Sequence, residues 1–332
     1  MTGLTVGSPW GGEFKELRIE PWVGGAEQWG ALTAVRNATL GTVDPAEYRP
    51  LTVAEVRRYY GHAAFDLERD ARLVRLGDTP IAAAICYPPR RFADRVPTNF
   101  EIYVLPGRQG QGIGSRLLAH LEVAAYARGH HALTTTISQL YAAGRDFLLA
   151  HGFRPVAQRT HLTRPDLADL PATDLPPGFT ILSLADLGGD PELYQSTMNR
   201  LGAYDSGYEL IQPEDLAYLT ASPAWQPELI FFLRAPEDRL VGAIRAGREA
   251  DGAGILSEIR LDPSYRGRGL AMPLVGAALA ALAATGRRSA ALDAGPPDSP
   301  PYRLARRCGF GESRRWVDFL KPLPGAPAPP EA

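Results

Sequence analysis

Two stretches of this chain place bare backbone where a ligand could lie. "GRQGQGIG" (107–114) carries Gly107, Gly110, Gly112 and Gly114, and "YRGRGLA" (265–271) carries Gly267 and Gly269. Each follows an apolar run that reads as a strand, and each runs directly into a helix-forming segment. The first amides of a helix lack internal partners, and the helix dipole is positive at that end. Glycine removes the Cβ that would hold a ligand away and permits positive φ. Loop and helix start together predict a nest of N–H groups for an anion such as phosphate. Arg108, Arg266 and Arg268 add positive charge at its rim.

A P-loop needs Gly-Lys-Ser/Thr at its end, and neither stretch has a lysine there. A dinucleotide fold needs G-x-G-x-x-G after its first strand. Here the first copy reads Gly110-x-Gly112-x-Gly114, and at least three strand-like runs precede it. The phosphate ligand that suits a loop after a fourth strand is the pyrophosphate of coenzyme A.

The elements that must hold these loops occur twice. A shift of 157 residues lays Glu101-Ile102 on Glu258-Ile259, Pro106 on Pro263, Gly110 on Gly267, Gly112 on Gly269, Gly129 on Gly286 and Gly152-Phe153 on Gly309-Phe310. A period this long means two copies of one domain rather than a solenoid of short repeats. In the first copy, strands are expected at 71–77, 81–87 and 100–106, then a helix with Ile113, Leu117, Leu121 and Ala125 on one face, a strand at 132–137, a helix ending at 153 and a strand at 156–162. The second copy gives strands at 229–235, 239–247 and 255–263, a helix carrying Leu270, Leu274, Ala278 and Leu282, a strand at 289–294, a helix ending at 310 and a strand at 314–320. "LRIEPW" (17–22) and "FTILSL" (179–184) open the copies. The expected organisation is a first domain at 15–164, a Pro/Asp-rich linker at 165–178, a second domain at 179–321 and a disordered tail at 322–332.

The segment Gln109-x-x-Gly112-x-Gly114 resembles the Q/R-x-x-G-x-G/A acyl-CoA signature of the GNAT superfamily of N-acetyltransferases, and Arg266-x-x-Gly269-x-Ala271 resembles it again. The resemblance covers most of residues 17–320. It implies an α/β (α+β) chain of two tandem GNAT-like domains, each a mixed, mostly antiparallel sheet flanked by helices and packed as an internal pseudo-dimer, with the chain a monomer or homodimer. It implies that Gln109, Gly110, Gln111, Gly112, Ile113, Gly114 and Ser115, and likewise Arg266, Gly267, Arg268, Gly269, Leu270 and Ala271, hold acetyl-CoA, the co-substrate, with no metal. The fourth strand would splay from the fifth, leaving Val104 or Leu261 to bond the pantetheine arm and a backbone N–H to face the thioester carbonyl.

An amine acceptor, a small molecule or a peptide, must lose a proton on attack. By the same resemblance Glu101 and Glu258 are the candidate bases. Many members carry a tyrosine acid five residues before the Gly-Phe phenylalanine, but Leu148 and Ala305 stand there. Tyr302, a helical turn earlier, is the substitute candidate. Asp298-x-Pro300 resembles the Asn-x-Pro start of the last helix in tandem members, whereas the first copy has Tyr141 and Ala143. Acceptor choice is expected from 38–65, with Asp44, Glu47, Tyr48, Tyr59 and Tyr60, and from 200–225, with Tyr204, Asp205, Tyr208, Glu209 and Trp225. Aromatics beside carboxylates suit a cationic amine. Two readings stand beside an N-acetyltransferase: a non-catalytic acyl-CoA sensor, and one active domain beside a structural one.

Composition narrows the classes. A net charge of -2, with only Lys15 and Lys321 as lysines, gives no pull toward nucleic acid or an anionic membrane. Two cysteines, Cys86 and Cys308, make no disulfide framework and suit a reducing cytoplasm. No His/Cys/carboxylate group has zinc-type spacing. The start, MTGLTVGSPWGGEFKE, lacks a basic head and apolar core, so no signal peptide is expected.

Overall fold

The computed structural model describes residues 17–45, 48–61, 65–87, 98–171, 174–205, 210–222, 225–248 and 252–323. They form two compact units, one of residues up to Val156 with Asp318 onward, the other of Ala157–Val317.

Unit 1 runs β1 (Leu17–Pro21), α1 (Ala26–Leu40), α2 (Val53–Tyr60), α3 (Leu67–Asp70), β2 (Ala71–Leu76), β3 (Thr79–Cys86), β4 (Thr98–Val104), α4 (Ile113–Ala127), β5 (Ala132–Ser138) and α5 (Ala142–Ala150), and then the start of β6 (Arg154–Arg164). Strands β1 to β4 are antiparallel neighbours in order, and β5 lies parallel to β4. The helix face read from the sequence is the buried one: Ile113, Leu117, Leu121 and Ala125 all leave solvent, with Leu118 beside them. Trp22, just after β1, and Trp29, Leu32, Val35, Val56 and Tyr60 of α1 and α2 pack over Leu73, Ala83, Ile85 and Tyr103 of the sheet.

Unit 2 repeats the order: β7 (Thr180–Ser183), α6 (Pro191–Gly202), α7 (Pro213–Thr220), β8 (Ile230–Arg234), β9 (Leu240–Arg248), β10 (Gly254–Leu261), α8 (Ala271–Ala284), β11 (Ala290–Ala294), α9 (Pro300–Arg307) and β12 (Gly311–Pro322). Strands β7 to β10 are antiparallel, and β11 is parallel to β10. Leu270, Leu274, Ala278 and Leu282 sit in one core with Leu233, Val241, Ile244, Leu256, Leu292 and Phe310.

The helix pairs are tied in the same way in both units. Asn37 Nδ2 donates to Leu51 O and Asn37 Oδ1 accepts from Leu51 N, just before the capping box of α2. Asn199 makes the same two bonds to Ile211 just before the capping box of α7. An amide side chain that satisfies both backbone groups of one residue fixes the entry of the next helix.

The compact units depart from the repeat boundaries. Thr160–Arg164, the end of the first repeat, pair antiparallel with β11, so they count with unit 2. The end of β12 joins unit 1, where Thr134 Oγ1 donates to Phe319 O at 2.9 Å and Lys321 Nζ to Glu122 Oε1 at 2.5 Å. Each repeat thus ends in a strand that completes the other unit. The segment 165–178 is not a free linker throughout, because Leu167 is buried and its amide donates to Arg288 O at 3.1 Å. The expected tail starts later than 322: β12 runs through Pro322, and Leu323 is buried with its amide on His131 O at 2.8 Å. The apolar Leu323 gains more in the core than in water. Residues 324–332 lie outside the described residues.

Candidate active sites

The two glycine loops have one geometry. A short 3-10 turn, Pro106–Arg108 or Pro263–Tyr265, leaves the strand end. Gly110 and Gly112 then take φ of 73° and 76°, and Gly267 and Gly269 take 75° and 76°. Side-chain-bearing residues pay roughly 1–2 kcal/mol in this left-handed region. A Cβ built on Gly110, Gly267 or Gly269 would meet nothing within 4 Å, so the space in front of these glycines is open. Helices of 15 and 14 residues begin at Ile113 and Ala271, their first amides facing that space.

Gly114 is needed for a different reason. Its Cβ would come within 3.2 Å of Phe147 Cε2. Unit 2 has Ala271 at the matched place, and there the matched partner is Leu304 rather than a phenylalanine. Ser115 turns its hydroxyl to His151 Nε2 at 2.9 Å, while His151 Nδ1 lies 2.8 Å from Phe147 O. Gln111 Oε1 is buried without a hydrogen-bond partner among the described residues, a polar atom left open at the loop.

The first residue of each signature braces the loop against its strand. Gln109 Nε2 donates to Val104 O at 3.1 Å, and Arg266 Nε donates to Leu261 O at 3.0 Å. Gln109 Nε2 also lies 3.3 Å from the Tyr141 hydroxyl at the start of α5.

Both strands leave their parallel neighbour. β4 pairs with β5 only at Thr98 and Asn99, and β10 pairs with β11 only from Gly254 to Leu256. Beyond those residues no described strand pairs with 100–104 or 257–261 on that side, where the Val104 and Leu261 carbonyls accept only side-chain donors. Such edge groups can bond an extended ligand as a further strand would.

The two matched glutamates lie on these splayed stretches. Glu101, in regular register with Ile85, accepts from three phenols. Tyr103 Oη donates at 2.6 Å, Tyr87 Oη at 2.8 Å, and the buried Tyr60 donates to the same oxygen as Tyr103. Burial, followed by the Glu101 charge, pushes the Tyr60 and Tyr87 hydroxyls up and Tyr103 well up, so all three keep their protons. Tyr59, Tyr60, Phe65 and Tyr87 stack edge-on around them, with centroids 4.8–6.3 Å apart.

Glu258 is held differently. A bulge between Ser257 and Arg260 gives β10 an extra residue against β9, and Glu258 itself has φ of 57°. A non-glycine residue in this region stores strain that the surroundings must hold. Tyr194 Oη donates to Glu258 Oε2 at 2.6 Å, and Arg245 Nε lies 3.4 Å from the same oxygen. Among the described residues no hydrogen bond reaches Glu258 Oε1. Tyr194 comes from α6, whereas Tyr60 comes from α2, so the phenol on the matched glutamate is supplied from non-matching elements.

The positions where an acid was expected are core. Leu148 and Ala305 are buried. Tyr302 donates to Glu312 Oε2 at 3.2 Å, and Arg315 pairs with the same carboxylate. Of the acceptor-side residues, Tyr59 and Tyr204 are exposed, Tyr48 donates to Asn37 Oδ1, Asp44 O accepts from Tyr48 N, and Trp225 packs edge-on against Tyr194 with centroids 5.1 Å apart. Asp205 bridges Arg260 and Arg266. Glu47, Tyr208 and Glu209 lie outside the described residues. The phenols Tyr87 and Tyr103 and the cation Arg245 were not singled out from the sequence. Tyr103 was within reach of it, since residues two apart on a strand share a face with Glu101. Tyr194 and Arg245 left no such signal.

Among the described residues no group of three His, Cys, Asp or Glu could hold a metal ion, and no helix is long and apolar enough to cross a membrane.

Comparison with known proteins agrees with this geometry. The model of the GNAT acetyltransferase family matches residues 41–153 and again 199–310. A mycothiol acetyltransferase of Thermobispora bispora is 30% identical over 239 residues, 68% of this chain and 75% of that protein. A GCN5-related N-acetyltransferase from Sphaerobacter thermophilus superposes with a TM-score of 0.75 at 22% identity, covering 93% of this chain and 96% of that one. A tandem GNAT protein from the clavulanic acid biosynthesis pathway superposes with a TM-score of 0.69 at 17% identity, covering 94% and 100%.

Proposed function

The chain belongs to the GNAT acetyltransferase family and carries its domain twice, and from that premise we propose that it moves an acetyl group from acetyl-CoA to a primary amine. One observation carries the reading. In both units a loop with two left-handed glycines follows a strand that parts from its parallel neighbour within two or three residues. An anion nest at one end and a bare strand edge beside it suit a long ligand with a phosphate at one end and amides along its arm.

When bound, acetyl-CoA supplies an acetyl thioester. The chain's residues do the rest. Gly110, Gln111, Gly112, Ile113 and Gly114 in unit 1, and Gly267, Arg268, Gly269, Leu270 and Ala271 in unit 2, hold the phosphates through backbone amides. Val104 and Leu261 lie where the arm would bond, with Gln109 and Arg266 bracing the loops.

The transfer step is assigned to unit 2, with Glu258 as base. Its Oε1 is open to a proton, while both oxygens of Glu101 are already engaged by phenols. The bulge at Glu258 turns backbone out of the β9 ladder, and an N–H so released can face a developing oxyanion. Glu101 then serves unit 1 as a structural carboxylate beneath a binding loop. Tyr302, spent on Glu312, has no part in the step. With no tyrosine acid at the usual place, the thiolate leaves unaided, which slows transfer without preventing it. Mycothiol acetyltransferase relatives make the acceptors of those enzymes the first amines to try.

The test is release of CoA above hydrolysis with a panel of amines, comparing wild type with Glu258→Gln and Glu101→Gln. Loss in Glu258→Gln, with Glu101→Gln close to wild type once folded, supports the assignment. The opposite pattern moves the chemistry to unit 1. Tight acetyl-CoA binding without release by any amine favours the sensor.

A further inference from the structure

The two loops differ in what holds their first side chain. In unit 1 the neutral Gln109 meets the neutral Tyr141 hydroxyl. In unit 2 Arg266 is a cation, and its Nη2 lies 3.3 Å from Asp205 Oδ1. Asp205 follows the end of α6, and its other oxygen accepts from Arg260 Nη1 of β10. The Arg260 side chain is only 16% exposed, whereas Arg266 is 50% exposed and Asp205 40%. The Arg260 contact is therefore the anchor, and the longer, wetter Arg266 contact is the one that can open.

A carboxylate on a guanidinium makes the same kind of bond that a phosphate oxygen makes there. Arg266 stands at the entrance of the nest formed by Gly267 and Gly269, so an anion arriving at the nest meets a cation already occupied. We propose that Asp205 is an internal competitor at the unit 2 loop: it holds Arg266 until a phosphate-bearing donor displaces it, and so links the end of α6 to donor occupancy. This rests on the acyl-CoA reading of the loop. Unit 1 has no counterpart, because a phenol at Gln109 offers an arriving phosphate no charge to displace.

The experiment is calorimetric titration with CoA of the full chain, carrying Gly112→Glu to silence unit 1. Asp205→Asn keeps the shape and one acceptor for Arg260 while removing the charge, and Asp205→Ser serves if the first variant folds poorly by its melting curve. Releasing a surface ion pair should tighten CoA binding by about twofold to fivefold. The gain must run through Arg266. With Arg266→Gln, the residue found in unit 1, Asp205→Asn should change Kd by less than about twofold, as expected for uncoupled sites. Unchanged or weaker binding in Asp205→Asn overturns the proposal while wild-type binding leaves the acyl-CoA reading standing. An equal gain in both backgrounds overturns it too, since the effect would then be bulk charge. Absence of CoA binding in every variant removes the acyl-CoA reading of unit 2 and this proposal with it.

Discussion

Replacing Tyr103 by phenylalanine deletes one oxygen and leaves the ring, so no cavity opens. The lost bond is a phenol to a carboxylate at 2.6 Å, in a place where Tyr103 is 4% exposed. Hydrogen bonds to charged groups contribute about 1.5–3 kcal/mol each. Glu101 keeps Tyr60 and Tyr87, so the carboxylate is not stranded and the lower part of that range applies, roughly 1.5–2 kcal/mol. Tyr59→Phe is the control, because Tyr59 is exposed and its hydroxyl only lies 3.3 Å from Tyr87 Oη, whose proton goes to Glu101, and its loss should stay within about 0.5 kcal/mol. Urea unfolding followed by far-UV circular dichroism gives both values as shifts in midpoint at constant slope. The same cluster sets a pH dependence. Tyr60, Tyr87 and Tyr103 are held above the ordinary phenol value, first by burial and then by Glu101. The unfolded chain ionises its tyrosines near pH 10 and the folded unit does not, so stability is fully present below about pH 10 and falls as pH rises beyond it. Tyr103→Phe should flatten that alkaline fall. A Tyr103→Phe loss no larger than that of Tyr59→Phe, or an unchanged alkaline slope, would refute the reading of Glu101 as a half-buried carboxylate satisfied by phenols.

Ending the chain after Val317 removes Phe319 and Leu323 from unit 1, both buried, together with the Lys321–Glu122 bond. At about 1.5–3 kcal/mol for each large apolar side chain, thermal unfolding should show unit 1 destabilised by roughly 3–6 kcal/mol. Gly269→Ala places a side chain at φ 76° where space is open, so it should cost about 1–2 kcal/mol from backbone strain alone, measured by urea midpoint. Gly114→Ala has no such φ penalty but presses on Phe147. Pairing it with Phe147→Leu, the combination found in unit 2, should restore most of the loss in a double-mutant cycle. Tyr194→Phe removes the phenol from Glu258 Oε2 and should lower kcat of any transfer more than it changes the KM for acetyl-CoA.

Much of the fold was legible because it was written twice. Gly110/Gly267 and Gly112/Gly269 mark identical left-handed positions, and only glycine takes these without strain, so their register revealed both the repeat and the loop. Buried helix faces followed from four-residue spacing, as Leu270, Leu274, Ala278 and Leu282 show. Strand exchange was not legible. The residues of β6 and β12 read as ordinary closing strands, and which sheet they join depends on pairing between segments more than a hundred residues apart. The bulge at Glu258 was hidden for a related reason: Glu101 and Glu258 match in sequence, yet one sits in a regular ladder and the other at φ 57°. The phenol partners escaped because Tyr60 and Tyr194 reach the matched glutamates from helices that do not correspond. Leu148 and Ala305 are buried where the acid was sought, while the substitute candidate Tyr302 turns to Glu312 on β12, a contact that local spacing does not encode.

The most direct measurement is calorimetric titration of the full chain with acetyl-CoA, alongside Gly112→Glu and Gly269→Glu, each of which places a carboxylate in one anion nest. Two sites are expected in the wild type, each abolished by its own variant and untouched by the other. Saturable binding that survives both substitutions, or no binding at all, would contradict the assignment of these loops to the acyl donor.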